Sequence, residues 1–407
     1  MNQALCFLLL FFPVLRGVAQ NGKPIVIGTT DTLYSKILGE KRTLLVHLPM
    51  TEPDAFAKDQ KYPVVYVLDG ESGLFQATVA ITESLGGGSG NFAYPKLIVV
   101  GVTNTDRTRD LTPTHSTDSS VMPGFLLTNS GGGETFLSFF KNELIPHVES
   151  TYPAAPYRVL IGHSFGGLLA IHALGNHPDL FQSHVAIDPS LWWDTPRFLQ
   201  EIKKRLAAQP ARENPLFVAI ANTMGKKFTL QGVKNDTTAG TLPIRSILDF
   251  DRFKQRQKPT TYQSKYYPDY DHGSVPFVAV YDALPFVFNF YGLNFPFGDF
   301  FNPAYKNDTL LAEHYKKVSQ RMGYPVLPPG ELVNAVAHQL MDMKQWKRAY
   351  HFFQLNLLNY PKSYASYEAM GEYFEAKGDK KQAKEFYQKA ANLNDSPALR
   401  EKLAKLD

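Results

Sequence analysis

Apolar residues along this chain come in short unbroken runs, and the stretches between those runs carry helical spacing. Val64-Val65-Tyr66-Val67-Leu68 and Leu97-Ile98-Val99-Val100 are continuously apolar, as strands covered on both faces are. Together with Lys41–Leu48, Tyr157–Ile161, His184–Asp188, Leu216–Ala221 and Tyr262–Tyr267, the spans Tyr62–Leu68 and Lys96–Thr103 read as strands. Helical patterns fall near 73–84, 134–150, 166–176, 195–208, 242–256 and 276–290. The alternation predicts an α/β fold with a doubly wound, mostly parallel sheet. Two connections, 104–132 and 223–240, are long and rich in Gly, Ser, Thr and Asn. Both follow predicted strands at their carboxyl ends, where open α/β sheets place their ligands.

Beyond residue 293 the pattern turns purely helical and repeats itself. Ala349 pairs with Ala383 at a spacing of 34, and the same offset pairs Phe353 with Tyr387, Val336 with Met370, Ala337 with Gly371 and Leu340 with Phe374. That is the tetratricopeptide period, with large, small and aromatic positions in order. Two such units are too few for a free-standing solenoid, so they are expected to pack on the α/β domain. The resulting division is a 1–19 leader, a 20–292 α/β domain, a 293–329 linker and a 330–407 all-α tetratricopeptide-like domain, which could also dock a protein partner.

The first 19 residues change the picture of where the protein works. An apolar stretch from Ala4 to Leu15 precedes Gly17-Val18-Ala19, small residues of the kind a signal peptidase reads. Cleavage after Ala19 would make the protein periplasmic or secreted, with no transmembrane segment left in the mature chain. Cys6 is the one cysteine, so the mature chain would hold none, which excludes disulfides, a thiol nucleophile and Cys-ligated zinc. A net charge of +4 spread over 42 basic and 38 acidic residues, without a basic run, gives no reason to expect nucleic acid.

Candidate chemistry centres on Gly162-His163-Ser164-Phe165-Gly166, set between the run Tyr157–Ile161 and the helical pattern that follows. Strand, tight glycine-flanked turn and helix make a nucleophile elbow, which would thrust Ser164 out at a helix N-terminus. A serine hydroxyl needs a base, and hydrolases of this order place it after the nucleophile and the acid. His272 fits: Tyr267-Pro268-Asp269-Tyr270-Asp271-His272-Gly273-Ser274 directly follows the last predicted strand, at the same sheet edge as Ser164. His163 and His172 read as packing or elbow-supporting residues. Arg107, Arg109 and Asp110 cluster in the first long loop, where the arginines could grip an anionic or catecholate group or pin the loop. Trp192 and Trp193 could wall an acyl pocket or fill the core.

The elbow, the segment Tyr62–Gly70, the stretch Asn104–Pro113 and Asp271-His272-Gly273-Ser274 together resemble the esterase family that includes esterase D and the enterobactin-type siderophore esterases, over roughly 25–292. The resemblance implies an α/β-hydrolase fold and a serine esterase mechanism without metal or organic cofactor. It further implies an oxyanion hole made by the backbone N–H groups of Phe165 and Glu71. The family pattern puts the acid after the strand Leu216–Ala221, where Asn222-Thr223-Met224-Gly225 offers no carboxylate; Asp236 is the first candidate, with Asp249 and Asp251 behind it. A Ser-His dyad is the alternative. Asp188, ending the preceding strand, reads as a topological outsider. The substrate would be a small-molecule or glycan-linked ester, of siderophore, feruloyl or acetyl type. Acyl transfer would use the same residues, and a non-catalytic scaffold is the reading of a different class.

Overall fold

The computed structural model describes residues 24–49, 56, 60–86, 92–117, 127–194, 196–209, 214–225, 228–257, 260–293, 297–302 and 307–406. The predicted leader, its cleavage point and Cys6 lie outside them. In chain order the α/β part runs β1 (Thr29–Ser35), β2 (Glu40–His47), β3 (Tyr62–Leu68), α1 (Leu74–Gly86), β4 (Ile98–Val102) and α2 (Arg107–Leu111). It continues through α3 (Gly133–Phe139), α4 (Ile145–Thr151), β5 (Ala154–His163), α5 (Phe165–Asn176), β6 (Ser183–Ile187) and α6 (Arg197–Ala208). It closes with β7 (Leu216–Ala221), α7 (Leu242–Arg256), β8 (Tyr262–Tyr267) and α8 (Val275–Val287).

The strands form one eight-stranded sheet in the order β1-β2-β4-β3-β5-β6-β7-β8. β2 is antiparallel to both β1 and β4, while every pair from β4 to β8 is parallel. Continuous apolar runs become the central strands because helices cover both faces: every residue of β3, β4, β6 and β7 is buried. Alternate residues feed two cores. Val64, Tyr66 and Leu68 face α3 and α5, whereas Val65 and Val67 face α1 and α8. The strand β1 went unread in the sequence because it is a polar edge strand whose residues are mostly exposed or half-buried.

Residues 293–329, read from sequence as a linker, include a full helix, α9 (Asn307–Met322). Its Leu311, Tyr315, Val318 and Met322 recur at helical spacing and are at most 2% exposed. They join one continuous core with Val287, Phe288 and Tyr291 of the α/β part and with the helices that follow. Burying Leu311, Val318 and Met322 contributes roughly 1.5–3 kcal/mol each. Beyond α9 come two helix pairs, α10 (Gly330–Asp342) with α11 (Trp346–Asn359) and α12 (Tyr364–Ala376) with α13 (Lys380–Leu393), then α14 (Pro397–Ala404). Matching helices of the two pairs start 34 residues apart, at 330 and 364 and at 346 and 380. Gly371 marks the close approach within the second pair, since a β-carbon there would stand 2.5 Å from the Tyr387 ring.

Candidate active site

The register of the sheet gathers the candidate residues at one edge. β3 pairs with β5 so that Val67 lies beside Ile161, and β5 pairs with β6 so that His163 lies beside Ile187. Ser164 and Asp188 are therefore the first residues past two neighbouring strands. The Ser164 N–H donates to the Ile187 carbonyl at 3.0 Å, and the Ser190 N–H donates to the Ser164 carbonyl at 3.1 Å. Ser164 is held at φ 60 and ψ −116 at the head of α5, a backbone region that costs a non-glycine residue about 1–3 kcal/mol. Surrounding contacts hold it there. A β-carbon on Gly162 would lie 2.1 Å from the Gly166 carbonyl oxygen, so the tight turn from β5 into α5 requires glycine. Its Oγ, on a half-buried side chain, lies 3.2 Å from Ser190 Oγ.

His272 comes five residues past the end of β8, on a turn built by Asp271. The Asp271 carboxylate accepts from the N–H groups of Gly273 and Ser274 at 3.1 and 2.9 Å and from Ser274 Oγ at 2.7 Å. These donors, the Ser274 side chain first, hold the Asp271 carboxyl below its ordinary range. Asn222, just past β7, ties the same loop by donating to the carbonyls of Tyr270 and Pro268. Asp271 thus shapes the turn that presents His272.

The partner of His272 is Asp188. His272 Nδ1 lies 2.6 Å from Asp188 Oδ2, while Asp188 Oδ1 accepts the Ala221 N–H at 3.0 Å. Asp188 is only 4% exposed and sits at φ 40, so the backbone is bent to aim a buried carboxylate across the end of β7. Asp236, the expected acid, is elsewhere. It is a half-buried loop residue whose carboxylate accepts from Thr238 Oγ1 at 2.5 Å and from Thr241 Oγ1. Those hydroxyls, Thr238 first, hold its pKa down and leave it closing its own turn. Asp249 and Asp251 are likewise engaged, with Lys203 and Tyr262. The chain order Ser164, Asp188, His272 matches the expected order of serine, carboxylate and histidine, with the carboxylate that meets His272 at the end of the strand beside the elbow.

The expected oxyanion donors flank this group. Phe165 opens α5, and Glu71 lies in the 3-10 turn Gly70–Ser72 that follows β3. Each stands four residues beyond one of the paired residues Val67 and Ile161. The Glu71 carboxylate is turned to Asn104, whose Nδ2 donates to it at 2.7 Å. His163 packs its ring 4.4 Å from that of His272, at 41°. Burial, and then the nearby His272, push His163 down to about 4, so its imidazole is neutral near pH 7.

The remaining sequence candidates are mostly structural. Arg109 is spent on Asp110 and Glu40, each at 2.7 Å, which pins the loop. Arg107 forks onto Asp69 at 2.7 and 2.9 Å. Trp193 is 1% exposed, its indole N–H donating to Thr114, so it fills the core; half-buried Trp192 packs on Phe165 with centroids 6.0 Å apart. His172 binds Glu134 at 2.5 Å, away from the serine. Among the described residues no group of three or more His, Cys, Asp or Glu converges to hold a metal, and no helix is long and apolar enough to cross a membrane.

With this geometry in view, residues 35–277 match the model of the family described as "Putative esterase". The chain belongs to that family. The siderophore triacetylfusarinine C esterase of Aspergillus fumigatus is 30% identical over 191 residues, 44% of this chain and 62% of that protein. The ferri-bacillibactin esterase BesA of Bacillus subtilis is 29% identical over 201 residues, 47% of this chain and 69% of the relative. The crystal structure of an IroE-like serine hydrolase from Shewanella oneidensis superposes with a TM-score of 0.65 at 29% identity, covering 81% of this chain and 98% of that one. This esterase-family chain therefore matches under two thirds of the fungal relative's length, and its α/β-hydrolase sheet carries a helical C-terminal region.

The signal for Asp188 was present in the sequence. A carboxylate directly after the apolar run Val185-Ala186-Ile187 stands at the mouth of a buried strand, and such a carboxylate, where buried, needs a partner. Naming that partner required knowing that β6 lies beside β5.

Proposed function

We propose that the protein is an exported serine ester hydrolase acting on a siderophore-type ester through Ser164, His272 and Asp188. The observation that carries this reading is the 2.6 Å hydrogen bond from His272 Nδ1 to the buried Asp188, at the sheet edge where Ser164 sits on its strained turn. Asp188 keeps the proton on Nδ1, which leaves Nε2 free to take the Ser164 proton as Oγ attacks the ester carbonyl. The carbonyl oxygen, now negative, is received by the N–H groups of Phe165 and Glu71, each donor contributing on the order of 3 kcal/mol. His272 returns the proton to the departing alkoxide; a water, deprotonated by the same nitrogen, then attacks the acyl carbonyl, the bond to Ser164 Oγ breaks, and His272 hands the proton back to Oγ. Asp188 stabilises the imidazolium in both halves without taking its proton.

Family membership and the names of the two relatives support an ester of the siderophore kind; the apolar stretch before Ala19 supports export. The test is a substrate panel followed by mass spectrometry, comparing wild type with Ser164→Ala. Stepwise opening of a catecholate or hydroxamate trilactone by wild type alone is expected. Release of ferulate or acetate from glycans with trilactones left intact would move the substrate class. Capture of the acyl group by an added alcohol in preference to water would make it a transferase, and no turnover of any ester would leave a binding scaffold. A mature N-terminus at Gln20 in the exported fraction is the matching expectation for the leader.

A further inference from the structure

The sequence offers Arg107 as a grip for an anionic substrate, but its place in the fold gives it another task. It sits on α2, a helix of five residues that an ionic network seats from below. Fully buried Arg42 donates to Asp110 at 2.6 Å and to the Thr103 carbonyl at 2.7 Å, and Arg109 bridges Asp110 to Glu40. From this base Arg107 reaches the end of β3. Its Nε and Nη2 donate to the two oxygens of Asp69, whose side chain is 9% exposed. Asp69 is where the chain leaves β3, at φ 55, and its carbonyl accepts from the Ser72 N–H at 2.9 Å and Ser72 Oγ at 2.6 Å, closing the turn that carries Glu71.

The same guanidinium faces the elbow. Nη2 lies 3.5 Å from the His163 carbonyl oxygen, and Cζ stands 5.3 Å from the centre of the Phe165 ring. The Asp69 carboxylate is close as well, since a β-carbon on Gly166 would be 3.6 Å from Oδ2. One side chain thus touches both loops that present the oxyanion donors. We propose that Arg107 is a positioning residue: it clamps Asp69 against the elbow, fixes the spacing of the Glu71 and Phe165 N–H groups, and screens the Asp69 charge from the oxyanion. This rests on the ester-hydrolase reading above. Oxyanion donors act only within about 2.7–3.1 Å, and misplacing one by about 1 Å costs on the order of 100-fold in rate. Without the guanidinium, Asp69 would keep the Asn104 Nδ2 donor at 2.6 Å but lose its countercharge, and the uncompensated charge would add to that loss.

The experiment measures kcat and KM on p-nitrophenyl butyrate, a neutral ester, for wild type, Arg107→Gln, Arg107→Lys and the double variant Asp69→Asn/Arg107→Gln. Arg107→Gln is expected to lower kcat on the order of 100-fold with KM changed less than about 2-fold. Arg107→Lys recovers only part, because an ammonium cannot span both carboxylate oxygens. Removing the Asp69 charge as well raises kcat about tenfold above Arg107→Gln. Unchanged kcat on the neutral ester with a raised KM confined to anionic esters would overturn the proposal in favour of a substrate grip. A double variant no faster than Arg107→Gln would overturn the screening. If Arg107→Gln melts too low to assay, the double variant, which leaves no buried charge unpaired, is compared with wild type instead. A wild type that hydrolyses no ester counts against the parent reading; an active wild type with an unaffected Arg107→Gln counts against this inference alone.

Discussion

Replacing Asp188 by asparagine probes the carboxylate that meets His272 where the sequence pointed to Asp236. Nδ1 of His272 and Oδ2 of Asp188 are 2.6 Å apart, which puts the centres of charge about 4 Å apart once the imidazolium forms. At an effective dielectric constant near 20 that attraction is worth about 4 kcal/mol. The His272 side chain is 47% exposed, so solvent screening reduces it to roughly 2–3 kcal/mol, or about 30- to 150-fold in kcat. Asparagine brings a second loss. Its oxygen can still accept the Ala221 N–H, which turns its NH2 toward Nδ1 and forces the ring proton onto Nε2, the nitrogen that must accept from Ser164. Asp188→Asn is therefore expected to be no faster than Asp188→Ala despite its closer shape. The assay is kcat for p-nitrophenyl butyrate, with Asp236→Asn as the control held within about 2-fold of wild type. Asp188→Asn retaining more than about a third of wild-type kcat, or Asp236→Asn losing as much, would refute the assignment.

Other consequences follow from single positions. His184 is fully buried with no hydrogen-bond partner for either ring nitrogen among the described residues, and burial alone pushes it down to about 3 from 6.5. The unfolded chain takes that proton first, so the stability it contributes is whole above about pH 6.5 and is lost as the pH falls toward 3. Wild type should lose more Tm than His184→Phe between pH 7 and 4; parallel losses would contradict this. Gly162→Ala drives a β-carbon to 2.1 Å from the Gly166 carbonyl and should cost about 3 kcal/mol or more, which a Tm within about 2 °C of wild type would disprove. Truncation after residue 292 strips the cover from Val287, Phe288 and Tyr291 and should give insoluble or molten protein by solubility and near-UV circular dichroism; a soluble, cooperatively melting fragment would show that α9 is dispensable.

What the sequence made legible depended on how local the physics was. The central strands announced themselves because burial on both faces leaves no room for polar residues in Val64–Leu68 or Ile98–Val102, and the elbow because its glycines are sterically required. α2 is a single turn begun by Asp106, which accepts the Arg109 N–H, and so short a helix leaves no periodicity to detect. α9 does carry the spacing Leu311, Tyr315, Val318, Met322, but in a stretch read as a linker after the α/β pattern had ended. Asp188 and His272 meet across 84 residues of sequence, and only the strand order brings them together. The order serine, carboxylate, histidine along the chain was readable; which strand end carried the carboxylate that meets His272 was not. Arg107 was readable as charged and near the site, but its partner Asp69 belongs to a different strand end, so a fork onto a carboxylate looked like a fork awaiting substrate.

The central claim is that Ser164 is a nucleophile activated by His272. It is tested most directly by treating the folded protein with a fluorophosphonate and mapping the adduct by tandem mass spectrometry. A single adduct on Ser164 is predicted, absent in Ser164→Ala and formed far more slowly in His272→Ala. An adduct that persists in Ser164→Ala, or ester hydrolysis that continues without Ser164, would contradict it.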